Sequence, residues 1–288
     1  MPKHAMAAKG GDEVPDGAIA RIDAGAVRAA AALARTGRVY DLGLEINDRI
    51  PHNPAFVRFA LAFTATPEGT GAASPFQYCA EVITGALHVS THIDALVHVQ
   101  AEGRIHGGAR AADARDDRGW RQQGMETVPP ILGRGVMLDV ARLRGTALLP
   151  DGYEVTVADL RQALDAAGQE VRAGDIVLIR TGKIRQFYTE PAAFQAAEPG
   201  VGRAAAIWLY DQGMAVLGTD TTGTEPLPFA DPAQTTHRAM LVERGVHLIE
   251  NLDLEAVARD QVNAGLFVAL PLRITGATGS WVRPVLVV

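Results

Sequence analysis

The 288-residue sequence predicts a single domain of the α/β or mixed α+β class. Short apolar segments rich in β-branched residues alternate with segments of helical periodicity, which is the pattern of interleaved strands and helices. The sequence has no internal repeat, and no stretch rich in Pro, Gly or Ser divides it in two. Residues 1–18 carry acidic residues and lack an apolar core, so we expect a flexible N-terminal lead before one domain over 19–288.

Local patterns place the individual elements. The Ala-rich residues 19–36 predict a helix that ends near Gly37, and Thr156 is a suitable N-cap for the second helix. Alternating or continuous apolar runs predict the strands. In chain order, the sequence predicts a helix over 19–36, strands over 39–46, 80–90 and 135–141, a helix over 156–170, a strand over 174–182, a helix over 202–213, a strand over 214–220, a helix over 235–245, and strands over 246–251, 265–274 and 281–288.

Charge and composition exclude several classes of protein. The formal net charge is −6 and there is no basic run, which argues against a nucleic-acid partner. Every long apolar stretch is interrupted by Gly, Pro or a charged residue, so we expect no membrane span. The single cysteine excludes an internal disulfide, and together with the lack of a signal-peptide pattern it favours a cytoplasmic protein.

Residues 86–100, "ALHVSTHIDALVHVQ", contain three of the eight histidines and one aspartate in an otherwise apolar run. On a straight strand, His88 and His92 would lie roughly 13 Å apart, at ~3.3 Å per residue. Two ligands of one metal cannot be so distant, because metal–ligand bonds are ~2 Å long. We therefore predict a strand that ends at His88, a turn over 89–91 and an extended segment over 92–94, so that His88, His92 and Asp94 converge.

The spacing favours a divalent metal site over a hydrogen-bonded network without metal, which is the alternative. Three histidines and an aspartate within eleven residues, buried without partners, would cost several kcal/mol. Coordination of one ion by imidazole, imidazole and carboxylate removes that cost and suits a borderline cation.

The segment "HVSTHIDALVH" resembles the H-x-G-T-H-x-D-x-x-x-H signature of the putative cyclase family of metal-dependent hydrolases, which includes bacterial kynurenine formamidases and isatin hydrolases. The later segments "GDIVLIRTG", "VLGTDTTGTE", "HRAMLVERGVHLIENL" and "FVALPLRITGATGSWVRP" resemble later blocks of that family in the same order. The resemblance runs from about Tyr40 to the C-terminus. It implies a swivelling β/β/α fold, in which helices flank a mixed, barrel-like sheet.

The resemblance also implies roles for matching residues. The implied metal ligands are His88, His92 and Asp94, joined by His237 and Glu250 in members with two ions, where the aspartate bridges the pair. His98 would transfer protons. One or two ions of Zn²⁺ or Mn²⁺ are implied, and we expect a homo-oligomer, a dimer or a tetramer, that acts on a small-molecule substrate.

The sequence departs from the family pattern at three positions. Ser90 replaces the usual glycine of the turn, Leu96 replaces the proline of the shorter formamidases, and Trp281 stands where "GSPVR" would be usual. The last two bear on the substrate, because they are expected near the pocket. The extended N-terminal part is more similar to the larger members of the family.

These residues predict hydrolysis by a metal-activated water. A divalent ion lowers the pKa of water and polarises a carbonyl oxygen, and a histidine outside the ligand set can take the proton. The predicted substrate is a cyclic amide, an N-acyl arylamine or a lactone. The alternative is a cyclase, a dehydratase or a metal-binding protein without turnover, and His98 favours catalysis because metal binding alone needs no such residue. No G-x-S-x-G elbow is present, which disfavours a serine hydrolase.

Three further polar residues have simpler interpretations. His106 lies in a Gly-rich loop and is expected to order that loop rather than contact substrate. His247 alternates with apolar residues of a strand, which favours a packed histidine. Asp220 in "GTDTTGTE" lies either near the site or in an ordinary turn.

Overall fold

A mixed sheet of nine strands forms the centre of the residues that this computed structural model describes, which are 17–51, 53–66, 68–69 and 75–288. Most of the predicted N-terminal lead, residues 1–16, lies outside the described residues. Its last two residues, Gly17 and Ala18, begin a 3₁₀ helix, and the Ala18 amide donates to the Gly245 carbonyl at 2.8 Å. These two residues of the predicted lead are therefore held against the rest of the described chain.

The described residues contain the following elements. The strands are β1 (Val39–Asp41), β2 (Ala60–Ala65), β3 (Ala80–Thr84), β4 (His92–Asp94), β5 (Arg115–Asp116), β6 (Gly119–Trp120), β7 (Ile131–Asp139), β8 (Glu154–Val155), β9 (Ile176–Arg180), β10 (Gly200–Val201), β11 (Val216–Thr219), β12 (His247–Glu250), β13 (Ala264–Ala269), β14 (Gly279–Trp281) and β15 (Val285–Val287). The α-helices are α1 (Ala24–Ala31), α2 (Val140–Leu143), α3 (Val157–Ala167), α4 (Pro191–Ala196), α5 (Arg203–Asp211) and α6 (Glu255–Arg259). A π-helix spans Arg238–Arg244, and 3₁₀ helices span Gly17–Arg21, His106–Gly108, Met125–Thr127, Lys183–Gln186 and Pro232–Gln234.

The central sheet has the strand order β1-β15-β13-β7-β9-β11-β12-β4-β14. Its four middle strands β7, β9, β11 and β12 are parallel, and each connection between them contains helical residues. The strands on both sides pair antiparallel. The prediction of an α/β fold with a mixed, barrel-like sheet and flanking helices is thus confirmed.

Both faces of the sheet are buried, which explains why its middle strands are continuous apolar runs. Along β9, Ile176 and Leu178 pack into one hydrophobic cluster, and Val177 and Ile179 into a second. Residues of α3, α5 and the π-helix belong to the second cluster. The strand alternation therefore divides the core into two layers, one on each side of the sheet.

The parallel strands place their carboxyl ends at one edge of the sheet, where α/β proteins form their sites. Glu250 is the last residue of β12, and it lies directly opposite His92 of the antiparallel β4. On the other side of β4, Asp94 lies opposite Gly279 of β14. The histidine motif is therefore held between two strands whose register is fixed.

Most predicted elements form, with shifted ends. The predicted helix over 19–36 is wrong as one element, because Asp23 caps a new helix: its side chain accepts the Ala26 amide at 2.8 Å. The strand predicted over 39–46 stops at Asp41. The strand predicted over 135–141 begins at Ile131 and stops at Asp139, whose side chain caps α2 by accepting the Arg142 amide.

The largest error is the strand predicted over 80–90, which stops at Thr84. This segment forms a two-stranded ribbon with β2, and β2 was not predicted. Leu61, Phe63, Val82 and Ile83 of the ribbon are all more than half exposed. Residues 80–90 do alternate between apolar and polar side chains, but the apolar side chains of this ribbon do not face the core. The alternation therefore did not indicate where the strand ends.

Helix α3 begins as predicted with Thr156 as its N-cap. Thr156 Oγ1 accepts the Asp159 amide at 3.2 Å, and Asp159 Oδ2 accepts the Thr156 amide at 2.8 Å, which forms a capping box. Asp159 is buried, and its other oxygen accepts hydrogen bonds from Arg144 and Tyr153. Burial would raise the pKa of Asp159, but these donors hold it below its ordinary value of 3.8.

We predict that Asp159→Asn lowers the free energy of unfolding by about 1–2 kcal/mol at neutral pH, because it removes the charge that pairs with Arg144 and weakens the cap. The depressed pKa means that this stabilisation is complete above the ordinary carboxyl pKa and disappears as the pH falls through the folded-state pKa. Urea unfolding across this pH range measures the difference, with the exposed Asp165→Asn on the same helix as control. A difference that is absent at neutral pH, or that grows in acid, contradicts the prediction.

Candidate metal centre

The segment between β3 and β4 brings His88 to the site. Trp281 Nε1 donates to the Ala86 carbonyl at 3.2 Å, and Ser90 has a left-handed φ of +56°. The turn predicted before His92 is therefore present at Ser90, where a positive φ explains why glycine would be usual. The prediction that a strand ends at His88 is wrong, because irregular chain follows Thr84.

His88, His92 and Asp94 form the first group of possible ligands. Their ligand atoms all lie within 4.8 Å of one another. Asp94 Oδ1 is 2.8 Å from His88 Nδ1 and 3.5 Å from His92 Nε2. His92 Nδ1 donates to the Ser90 carbonyl at 2.9 Å, which turns Nε2 towards the carboxylate.

The other oxygen of Asp94 faces a second group, formed with His98 and His237. Asp94 Oδ2 is 3.4 Å from His237 Nε2 and 4.0 Å from His98 Nε2. Glu250 lies between the groups, with Oε2 3.3 Å from His92 Nε2 and Oε1 3.3 Å from His237 Nε2. The structure thus brings together the six residues predicted as ligands or proton-transfer group, and the two oxygens of Asp94 face the two groups.

Burial and neighbouring charges set the protonation of the cluster. Burial alone would raise the pKa of the Asp94 carboxyl, but the His98 and His237 rings hold that pKa well below its usual range. Burial lowers the pKa of His98 to about 4, against the opposing effect of Asp94. Burial also acts to lower the pKa of His237, but Glu225 and Glu250 raise it well above its ordinary value. Asp94 is therefore ionised and His98 neutral near neutral pH.

The donor set fits a divalent metal ion. Asp94 Oδ2 is buried and has no hydrogen-bond partner in the described part of the chain. A buried carboxylate oxygen left without a donor is costly, and a cation at this position would compensate it. Imidazole nitrogens and carboxylate oxygens are ligands of Zn²⁺ and of similar ions.

The sequence analysis missed two residues that hold candidate ligands in place by hydrogen bonds. Glu225 Oε2 accepts a hydrogen bond from His237 Nδ1 at 2.6 Å, and Thr224 Oγ1 donates to Glu250 Oε1 at 2.7 Å. Both residues belong to the segment "GTDTTGTE", in which the sequence predicts a possible site residue only at Asp220. Polar side chains that follow a buried strand were the feature of the sequence that could have indicated them.

The remaining candidates lie outside the cluster. Asp220 is buried and accepts hydrogen bonds from the Thr181 and Gly182 amides, so it orders a neighbouring loop. His106, which was expected to order a loop, has its Nδ1 2.9 Å from the Val242 carbonyl oxygen. His247 is a packed histidine, and its Nδ1 donates to the Asp94 carbonyl at 2.8 Å.

Trp281 occupies the place where the sequence departs from the family pattern. Its ring packs edge-on against Phe59, with centroids 6.2 Å apart, and a side chain at Gly85 would press against it. Trp281 therefore anchors the base of the β2–β3 ribbon. Leu96, another position that departs from the family pattern, is buried in the second core cluster.

The fold and this cluster together define an α/β protein with a site suited to a divalent metal ion. Residues 40–226 match the family described as putative cyclases, and the chain belongs to that family. The resemblance read from the histidine motif is thereby confirmed.

Known relatives extend this comparison. The chain is 23% identical over 252 residues to a kynurenine formamidase of Bacillus cereus, which covers 88% of this chain and 98% of the relative. A crystal structure described as a novel cyclase is 31% identical with a TM-score of 0.88, and the match covers 96% of this chain and 95% of that one. Isatin hydrolase A from Ralstonia solanacearum shares the fold at 24% identity, with a TM-score of 0.66 and coverage of 90% and 95%.

Among the described residues, no helix has the length and apolar character needed to cross a bilayer.

We predict that Asp94→Ala abolishes or severely weakens metal binding, because both groups of possible ligands share this carboxylate. Metal content is measured by elemental analysis after loading with Zn²⁺ or Mn²⁺ and removal of excess ion. The exposed Asp113→Ala is the control, and circular dichroism checks that each variant is folded. An Asp94→Ala protein that retains stoichiometric metal would show that this residue is not a ligand.

Proposed function

We propose that residues 19–288 form a metal-dependent hydrolase that opens a cyclic amide, an N-acyl arylamine or a lactone. The observation that carries this proposal is the buried Asp94 carboxylate, whose two oxygens face two groups of imidazoles. Relatives in the same family include a kynurenine formamidase and isatin hydrolases, which supports hydrolysis of a carbonyl compound.

The proposed ligands are His88, His92, Asp94, His237 and Glu250, for one or two ions of Zn²⁺ or Mn²⁺. When bound at such a donor set, a divalent ion polarises a carbonyl oxygen and makes water easier to deprotonate. The described residues supply the complementary functions, which are orientation of the ligands and transfer of protons.

His98 is the proposed proton-transfer residue. Its ring is stacked on His88, with centroids 3.8 Å apart, so its orientation is restricted. Its side chain is 27% exposed, more than those of the neighbouring His88 and His237, so it is the imidazole best placed to meet a substrate. Because it is neutral near neutral pH, its Nε2 can accept the proton of the attacking water and return it to the leaving atom.

The alternative is a cyclase or dehydratase, or a member of the fold that binds metal without turnover. A neutral, partly exposed His98 is a feature that a purely metal-binding protein does not need. This difference favours catalysis over metal binding alone. Identification of the products distinguishes hydrolysis, which adds water, from dehydration or cyclisation, which removes it.

We further propose a cytoplasmic homo-oligomer, a dimer or a tetramer, with a small-molecule substrate and no nucleic-acid partner. The negative net charge supports the absence of a nucleic-acid partner. The exposed apolar side chains of the β2–β3 ribbon support self-association, since a two-stranded ribbon alone is only marginally stable in water. Light scattering on the purified protein measures the oligomeric state.

We predict that the metal-loaded protein releases acid from at least one member of a panel of cyclic amides, N-formyl arylamines and lactones. Removal of the metal with a chelator should abolish the acid release, and Zn²⁺ or Mn²⁺ should restore it. A pH indicator measures the rate and mass spectrometry identifies the product. Products that lack one water, or a metal-loaded protein inactive on the whole panel, would contradict the proposed hydrolysis.

The role of His98 is tested separately. His98→Ala should retain its metal and lose about 10²–10⁴-fold in rate, because general acid–base catalysis contributes this much. Metal content and rate are measured on the same preparation, with His106→Ala, outside the cluster, as control. Metal lost together with activity would make His98 a ligand, and metal and activity both retained would leave it without a role.

A further inference from the structure

Two proposed ligands from different elements are held by one short segment, Thr222–Glu225. Thr224 Oγ1 donates to Glu250 Oε1 at 2.7 Å. Glu225 Oε2 accepts hydrogen bonds from His237 Nδ1 at 2.6 Å and from the His237 amide at 3.0 Å. Thr224 and Glu225 are both buried, so neither contact competes with bulk water.

The segment adopts a backbone conformation that its sequence does not favour. Thr224 has a φ of +58°, which is a rare and unfavourable conformation for a β-branched residue. Such a conformation persists when its surroundings impose it. Here the conformation turns the Thr224 hydroxyl to Glu250 while the next side chain reaches His237.

The buried carboxyl group of Glu198 holds the two residues that precede Thr224. Its two oxygens accept the Thr222 amide at 2.7 Å and the Gly223 amide at 2.6 Å. The Thr224 carbonyl accepts the Val201 amide at 2.7 Å. Gly200 approaches the Glu225 backbone so closely that a side chain there would not fit. The segment is thus fixed from both ends, by Glu198 at Thr222 and Gly223 and by the β10 backbone at Thr224 and Glu225.

We propose that Thr224 and Glu225 are positioning residues of the metal centre and that Glu198 holds them in place. This inference rests on the proposed function. Glu225 accepts the Nδ1 proton of His237, so Nε2 is the nitrogen that faces Asp94 Oδ2 and Glu250 Oε1, at 3.4 and 3.3 Å, and that would bind a cation once its own proton is released. Thr224 fixes the rotation of the Glu250 carboxylate, whose other oxygen lies 3.3 Å from His92 Nε2.

The inference predicts distinct effects for matched substitutions. Glu225→Gln should weaken metal binding by roughly 10–100-fold, as is usual when a carboxylate behind a ligating histidine is lost. Thr224→Val keeps the shape of the side chain and removes the hydroxyl, so it should weaken binding by roughly fivefold. Thr224→Ser retains the hydroxyl and should bind metal nearly as well as the wild type.

The measurement is competition of Zn²⁺ with a chromophoric chelator, supported by the visible spectrum of the Co²⁺-loaded protein, which reports ligand geometry without turnover. The control is Asp175→Asn, which disrupts a buried pair with Arg134 remote from the cluster and should leave metal affinity unchanged. If that control weakens binding as much as Glu225→Gln, the effect is general destabilisation and the positioning role is rejected.

The outcomes separate this inference from the proposed function. If the wild type binds Zn²⁺ tightly and both Glu225→Gln and Thr224→Val bind it equally well, the positioning role is overturned while the proposed function stands. If Glu225→Gln fails to fold, the comparison of Thr224→Val with Thr224→Ser still decides, since equal affinities overturn the role of the hydroxyl. If the wild type itself binds neither Zn²⁺ nor Co²⁺, both proposals are overturned.

Discussion

The burial of one charged carboxylate is the constraint on which the site depends. Asp94 is fully buried, and an unpaired charge in that position would cost several kcal/mol. Imidazoles from separate segments of the chain surround it: His88, before β4, lies 2.8 Å from Oδ1, and His237, at the start of the π-helix, lies 3.4 Å from Oδ2, which has no hydrogen-bond partner among the described residues. The peptide of Asp94 is used as well, because its carbonyl accepts a hydrogen bond from His247. The position of β4 between β12 and β14 makes this convergence possible.

The same edge of the sheet carries charged groups along its whole parallel part. Asp139, Arg180 and Glu250 end three of the parallel strands, and Asp220 follows the fourth. Asp139 and Arg180 pair with each other at 2.9 Å, and Asp220 is saturated by backbone amides. Glu250 is the member of this row that faces a cluster of histidines. The candidate metal centre therefore lies at one end of a sheet edge that carries charged groups along its parallel part.

Local pattern was sufficient for the elements whose periodicity reflects burial, such as the helix that starts after Thr156 and the strand between Gly174 and Gly182. Spacing also singled out the residues of the cluster that lie within 88–98, whereas His237 and Glu250 were implied only by the family resemblance. Local pattern failed at β3, whose apolar side chains face solvent, and at Thr224 and Glu225, whose partners lie 26 and 12 residues further along the chain. Contacts of that kind depend on how strands are ordered in the sheet, which no local pattern contains.

The pairing of β4 with β14 and of β1 with β15 joins segments that are nearly 200 residues or more apart in sequence. Contacts of such separation form late, because a long loop must close before they contribute. During synthesis, His88 and His92 are made well before β14, which fixes the register of β4 on one side. Until that strand has been synthesised, the register of His92 and Asp94 is not fixed on that side. The donor set is thus a property of the folded sheet rather than of the histidine motif alone.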